Sequence, residues 1–149
     1  MEKSLIILKP DAVQRGLIGP IITRLEQRGL KFSGMKLMQI GRALAEEHYG
    51  VHKGKPFYDG LVQYITASPV VVIAIQGQDV IQVIRNTVGA TNPVNAAPGT
   101  IRGDYGLEIG RNLIHASDSP ENGDKEVALF FAPEELTTWD RNTDAWIYE

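Results

Sequence analysis

The sequence predicts an α+β fold, a split βαβ arrangement in which a four-stranded antiparallel sheet is covered by helices packed on one side. Three observations carry this expectation. Strand-like and helix-like segments follow one another in the order β-α-β-(αα)-β-α-β-α. The run "SPVVVIAIQG" holds four consecutive β-branched residues, Val70 to Ile73, which suit a strand in mid-sheet with both faces buried. A parallel doubly wound sheet fits less well, because only four strands are present and a helical insertion interrupts them.

Leu5 to Leu8 is a short apolar run stopped by Pro10, which suits a buried first strand. Ile18, Ile21, Ile22 and Leu25 recur at helical spacing, with Pro20 near the start and Gly29 at the end. Lys31 to Ile40 alternates loosely and reads as the second strand. Ala43 to Gly50 reads as a helix that Gly50 stops, and Pro56 to Ala67 as another, with Phe57, Leu61, Tyr64 and Ile65 on one face. After the central strand, Asp79 is expected to cap a helix running through Val88. Gly89 to Gly106 is rich in Gly, Pro, Asn and Thr and reads as loop; connections this long are often functional. Asn112 to Ala116 reads as the last strand. Ser119 and Pro120 form an N-cap and first-turn pair for a helix to Phe131, although Asn122, Gly123 and Asp124 are poor helix formers.

The 149 residues contain no linker, low-complexity tract or repeat, so one domain spanning 1–149 is expected. The net charge of -3 argues against coating nucleic acid as the main role. The lack of cysteine excludes disulfides, thiol catalysis and Cys-based zinc sites. The apolar core of "MEKSLIILKP" is too short for a signal peptide or a membrane span, which makes the cytoplasm the expected location.

Among the candidate reactive residues, His48 and His52 stand four apart, but Gly50 breaks the helix between them and no third ligand follows nearby. They read as polar residues at a helix end. "GVHKGKP" and "GTIRGDYG" have the wrong spacing for the glycine-rich phosphate loops. Lys9, Arg85 and Arg102, each a surface cation when taken alone, together with Thr91 offer three charges and a hydroxyl near strand and helix ends, where phosphate sites form. His115 is the decisive residue. Ser117 and Asp118 follow it, and Glu126 lies where a helix folding back would let its carboxylate orient the ring. An imidazole held at one nitrogen keeps the other as a nucleophile near neutral pH, which is chemistry for a phosphohistidine.

Around these residues the sequence resembles the nucleoside diphosphate kinase family. "NLIHASD" matches the Asn-x-x-His-(Gly or Ala)-Ser-Asp signature. "LIILKPDAVQRGLIG", "HYGVHKGKPFYDGLV", "VIRNTVGATNP", "APGTIRGDYG" and "DAWIYE" follow in family order over nearly the whole chain. The resemblance implies a ferredoxin-like fold and ping-pong transfer of the γ-phosphate of a nucleoside triphosphate to a nucleoside diphosphate. By the same resemblance, His115 is the phosphorylated nucleophile, Glu126 holds its other nitrogen and Ser117 braces the pair. Lys9 and Tyr49 meet the transferring phosphoryl and the ribose hydroxyls. Arg85, Thr91 and Arg102 hold the β- and γ-phosphates, and Asn112 binds ribose. Phe57 stacks on the base, Leu61 and Ile109 complete its slot, and Asp118 assists a magnesium ion (Mg2+) carried in by the nucleotide. A homo-oligomer is implied, a hexamer before a tetramer, since the family's long loop lies at a subunit contact and "AWIYE" carries apolar side chains to be covered. Tyr105 stands where the family often has Phe, and "VNAA" at Val94–Ala97 is a mild loop variant.

Two other readings use the same residues. A nucleotide or nucleic-acid sensor with little turnover would not need the nucleophile, its carboxylate or the cations. A histidine-phosphorylated relay to other proteins would leave Phe57 and Asn112 without purpose.

Overall fold

Strand β1, Glu2–Leu8, starts earlier than its apolar run and occupies the centre of the sheet. The computed structural model describes residues 1–149. In chain order β1 is followed by α1 (Pro10–Gln14), α2 (Ile18–Gln27), β2 (Phe32–Met38), α3 (Arg42–His48), α4 (Tyr58–Ile65), β3 (Val70–Gly77), α5 (Val80–Val88), α6 (Ile101–Tyr105), β4 (Ile114–Ala116) and α7 (Pro120–Phe130). The strand order is β2-β3-β1-β4, and every neighbouring pair is antiparallel. This is the four-stranded sheet of the ferredoxin-like split βαβ fold that the sequence predicts.

One expectation is corrected. Helices cover both faces of the sheet. Ile6, Leu8, Val71, Ile73 and Ile75 point to a core shared with Ile21, Leu25, Ile84 and Ile101 of α2, α5 and α6. Leu5, Ile7, Val70, Val72 and Ala74 point to a second core with Ala45, Val62, Ile65, Val127 and Phe130 of α3, α4 and α7. Successive strand residues alternate between faces, so a continuous apolar run needs cover on both sides.

Other departures are local. Pro10 stops β1, yet it also sits at the first position of α1, where its missing N–H costs nothing. The expected loop from Gly89 contains α6, opened by Thr100, whose hydroxyl accepts the Gly103 N–H at 3.0 Å. Asp79 does not cap α5; it is held in the left-handed region at φ 56°, and the carboxylate of Glu2 accepts the Ile81 N–H at 3.1 Å instead. A cap supplied from the far end of β1 leaves no local signal. Ser119 does cap α7, accepting the Asn122 N–H at 3.1 Å.

Candidate active site

His115 lies in the middle of β4, opposite Ile7 of β1. Its neighbours Ile114 and Ala116 therefore enter the first core, while His115 faces the second, between α3 and α7. On α7, Gly123, Val127 and Phe130 form the buried stripe, and Glu126 flanks it. Period-two alternation on β4 and helical spacing on α7 thus aim the two side chains at each other. Nε2 of His115 and Oε1 of Glu126 are 3.0 Å apart. Ser117, fully buried, donates its hydroxyl to the same oxygen at 2.6 Å and accepts the Leu5 N–H at 2.9 Å. Burial works against the charged form of Glu126, but the His115 hydrogen bond and charge, the Ser117 hydroxyl and His48 outweigh it, so its pKa is lowered. The carboxylate is ionised at neutral pH, and the ring's N–H belongs on Nε2. Nδ1 is left as the nitrogen without a protein partner.

A second group forms where β1 ends beside the approach to β4. Lys9 Nζ donates to Asn112 Oδ1 at 2.9 Å, and Asn112 Nδ2 donates to the Thr91 carbonyl at 3.0 Å. The pKa of Lys9 is lowered to about 8, first by burial and then by Arg102, with Asp11 opposing. Arg102 is buried and clamps three carbonyls, donating from Nε to Asn112 at 3.1 Å, from Nη1 to Gly89 at 3.2 Å and from Nη2 to Ile114 at 2.5 Å. Burial and the charge of Arg85 lower its pKa to about 10, which leaves it cationic at neutral pH. These bonds engage three of its five N–H donors. Arg85, exposed on α5, reaches the Ala116 carbonyl at 3.4 Å. The expected cations therefore converge on the segment that carries His115.

Backbone strain is stored in that segment. Leu113 adopts φ 72° with its side chain fully buried, a left-handed conformation that costs about 1–3 kcal/mol for a residue other than glycine. It is held from both sides. The Leu113 N–H is accepted by Asp11 Oδ2 at 3.1 Å, and the Leu113 carbonyl accepts the Lys9 N–H at 2.8 Å. Asp11 also accepts the Tyr64 hydroxyl. Asp11 and Tyr64 escape sequence reasoning because neither bears on chemistry until Leu113 is seen to need support.

Phe57, 51% exposed, and Leu61 line a cleft of about 780 Å³ together with Tyr64 and Arg111. Ile109, also half exposed, stands beside Gly110 in the wall of that cleft. Tyr49 is buried next to His48, with its pKa raised to about 12 by burial and by Glu126. Asp118 is exposed and accepts the Asn122 amide at 2.6 Å. The hydroxyl of Tyr105 has a use of its own, lying 3.3 Å from Arg24 Nη2.

His48 closes α3 as expected, yet it is not an incidental polar residue. Its side chain is only 4% exposed. Its ring meets His115 edge-on at 4.9 Å and Phe130 at 5.3 Å, and Nδ1 lies 3.8 Å from Glu126 Oε2. Its place next to Tyr49 was the available signal; the break at Gly50 hid it. Burial first, and then the charge of His115, lower its pKa to about 4, with Glu126 opposing. The unfolded chain takes up this proton near 6.5, so the native state is full strength above that pH and loses stability as pH falls towards 4. The loss is on the order of 3 kcal/mol. Urea midpoints measured from pH 7 to 4.5 should fall accordingly, and His48→Phe should flatten that slope. An equally steep slope in the variant rules His48 out as its source.

The nucleoside diphosphate kinase family model matches residues 2–136. The chain is 72% identical over 149 residues to a nucleoside diphosphate kinase of Herpetosiphon aurantiacus, and 68% identical to one of a Roseiflexus species, with 100% of each chain covered. Among solved structures, it is similar to a halophilic nucleoside diphosphate kinase from Halobacterium salinarum in complex with CDP. That likeness has a TM-score of 0.96 and 52% identity, with 99% of both chains covered.

Proposed function

Since the chain belongs to the nucleoside diphosphate kinase family, we propose that it transfers the γ-phosphate of a nucleoside triphosphate, mainly ATP, to nucleoside diphosphates by a ping-pong route through phospho-His115. The carrying observation is the 3.0 Å pairing of His115 Nε2 with a Glu126 carboxylate that Ser117 braces. The Nδ1 lone pair attacks the γ-phosphorus, the bond to the β–γ bridging oxygen breaks, and the nucleoside diphosphate leaves. Glu126 stabilises the positive charge that develops on the ring, as a fixed carboxylate does in other histidine-centred sites. A terminal phosphate oxygen of the acceptor diphosphate then attacks the phosphorus, and Nδ1 leaves with its lone pair. Bond types match on both sides, so the reaction is close to isoenergetic.

Phosphoryl transfer depends mostly on positioning and charge stabilisation. In this reading Arg85, Arg102 and Thr91 hold the β- and γ-phosphates, while Lys9 and Tyr49 meet the transferring group and the ribose. Asn112 serves ribose while fixing Lys9. Phe57 stacks on the base, with Leu61 and Ile109 beside it. Stacking without base-edge hydrogen bonds accepts any base, since every base has a π-face. Magnesium would bind chiefly through phosphate oxygens and neutralise their charge; Asp118, exposed with one oxygen engaged by Asn122, suits a hydrated ion that needs one carboxylate from the protein.

The working unit in this reading is one domain, residues 1–149, in a homo-oligomer, with a hexamer favoured over a tetramer. Supporting this are apolar side chains left open on the single chain, Leu107 at 85% and Trp146 at 90% exposure. No helix is long and apolar enough to cross a membrane, and the cytoplasm is the proposed location, on the short apolar run at the N-terminus. Incubation with γ-labelled ATP tests the proposal. The protein should acquire acid-labile, alkali-stable label, and a chase with GDP, CDP or UDP should remove it in each case. Label that passes to other proteins but not to any diphosphate would replace this reading with a relay.

A further inference from the structure

We propose that His48 Nδ1, His115 Nε2 and Glu126 Oε2 form a binding site for a zinc-class divalent cation, and that filling it silences the nucleophile. The three residues come from α3, β4 and α7, and each offers one donor atom within 4.8 Å of the others. A second observation points to a ligand. Nδ1 of His48 is buried without a hydrogen-bond partner, on a side chain only 4% exposed, and it faces Glu126 Oε2 at 3.8 Å. A buried ring nitrogen left unpaired is a costly arrangement that a metal ion would satisfy.

Two imidazoles and a carboxylate, with a fourth position open, form a donor set that zinc accepts at about 2.0–2.2 Å. Magnesium, which prefers oxygen donors, is a poor fit. The side chains need to draw together by about 1 Å to reach those bond lengths. Ser117 would keep its hold on Oε1 while Oε2 turns to the metal, the kind of outer support that ligating carboxylates have. The three residues line an open cleft of about 300 Å³ through which a hydrated ion can enter.

The consequence for chemistry follows from the tautomer. A neutral imidazole carries one N–H. Coordination at Nε2 moves that proton to Nδ1, the nitrogen that would attack, and removes its lone pair from use. Binding stands on the geometry alone, whereas silencing rests on the reading of His115 as nucleophile.

The test uses nucleotide-free protein titrated with zinc chloride against a chromophoric chelator, with magnesium chloride as comparison. One zinc per chain is expected. His48→Phe, which keeps a ring against Tyr49 and Phe130, and His115→Ala should each weaken binding by roughly tenfold or more. His52→Ala should bind as the parent does. No uptake up to millimolar zinc, or unchanged affinity in His115→Ala, overturns the site. If His48→Phe misfolds by circular dichroism, His115→Ala decides alone. Silencing is read with phosphoramidate, a small donor that transfers phosphoryl to a free imidazole and releases ammonia. Zinc should slow this labelling in the parent but not in His48→Phe. Zinc that binds without slowing it overturns the silencing step. Phosphoramidate labelling without any labelling from ATP would instead be a failure of the nucleotide reading.

Discussion

Replacing His115 with alanine should lower ATP-to-GDP transfer by roughly 10⁴-fold or more, because no other side chain in the site can carry the phosphoryl group. His48 is the nearest substitute, but it is buried and its Nδ1 faces Glu126 rather than an open position. The fold should survive. His115 is 22% exposed at its side chain and makes one hydrogen bond, and Glu126 keeps Ser117 as a donor after the change. A stability cost of about 1 kcal/mol is expected. Steady-state transfer, with urea midpoints measured on the same preparation, checks both halves. Transfer within tenfold of the parent would remove His115 from the chemistry, and an unfolded variant would mean that its place in β4 is structural.

The second large effect is expected at Gly123, and here stability leads. A Cβ built at this position would lie 1.9 Å from the carbonyl oxygen of Lys3, a backbone atom in a central strand that cannot swing aside. Gly123→Ala must push α7 away from β1. Overpacking against backbone should cost about 3 kcal/mol, which for a chain of this length lowers the melting temperature by about 10 °C. This runs against helix propensity, which favours alanine over glycine by about 1 kcal/mol. Glu126 sits one turn further along α7, so the displacement also loosens the 3.0 Å contact with His115. Calorimetry and transfer rate together test this: a parent-like melting temperature means that the approach of Gly123 to Lys3 does not constrain the place of α7. Gly123→Ala should then also leave transfer unchanged.

Gly123 shows how legible the chain was. In sequence it is a poor helix former in the first turn of a predicted helix. In the fold it is a point of close approach between α7 and β1, and that approach helps to bring Glu126 to His115. His48 behaves similarly. Its spacing to His52 and the break at Gly50 made it look incidental, yet the packing of α3 against α7 seals it beside His115. The β4 segment, by contrast, is legible as a strand with His115 on it, and Lys9, Arg85 and Arg102 lie near strand and helix ends, as their positions in the sequence suggest.

Local periodicity and composition determined the strands, most helices and the candidate chemistry of this chain, because alternation and helical spacing are short-range consequences of burial. The motif set added the family. Tertiary structure alone decided that both faces of the sheet are covered, that Glu2 rather than Asp79 serves the first turn of α5, and that Asp11 supports the strained Leu113. The last two join groups 79 and 102 residues apart in sequence, and the first needs separate segments to meet in space; no pattern within one segment encodes a partner on another.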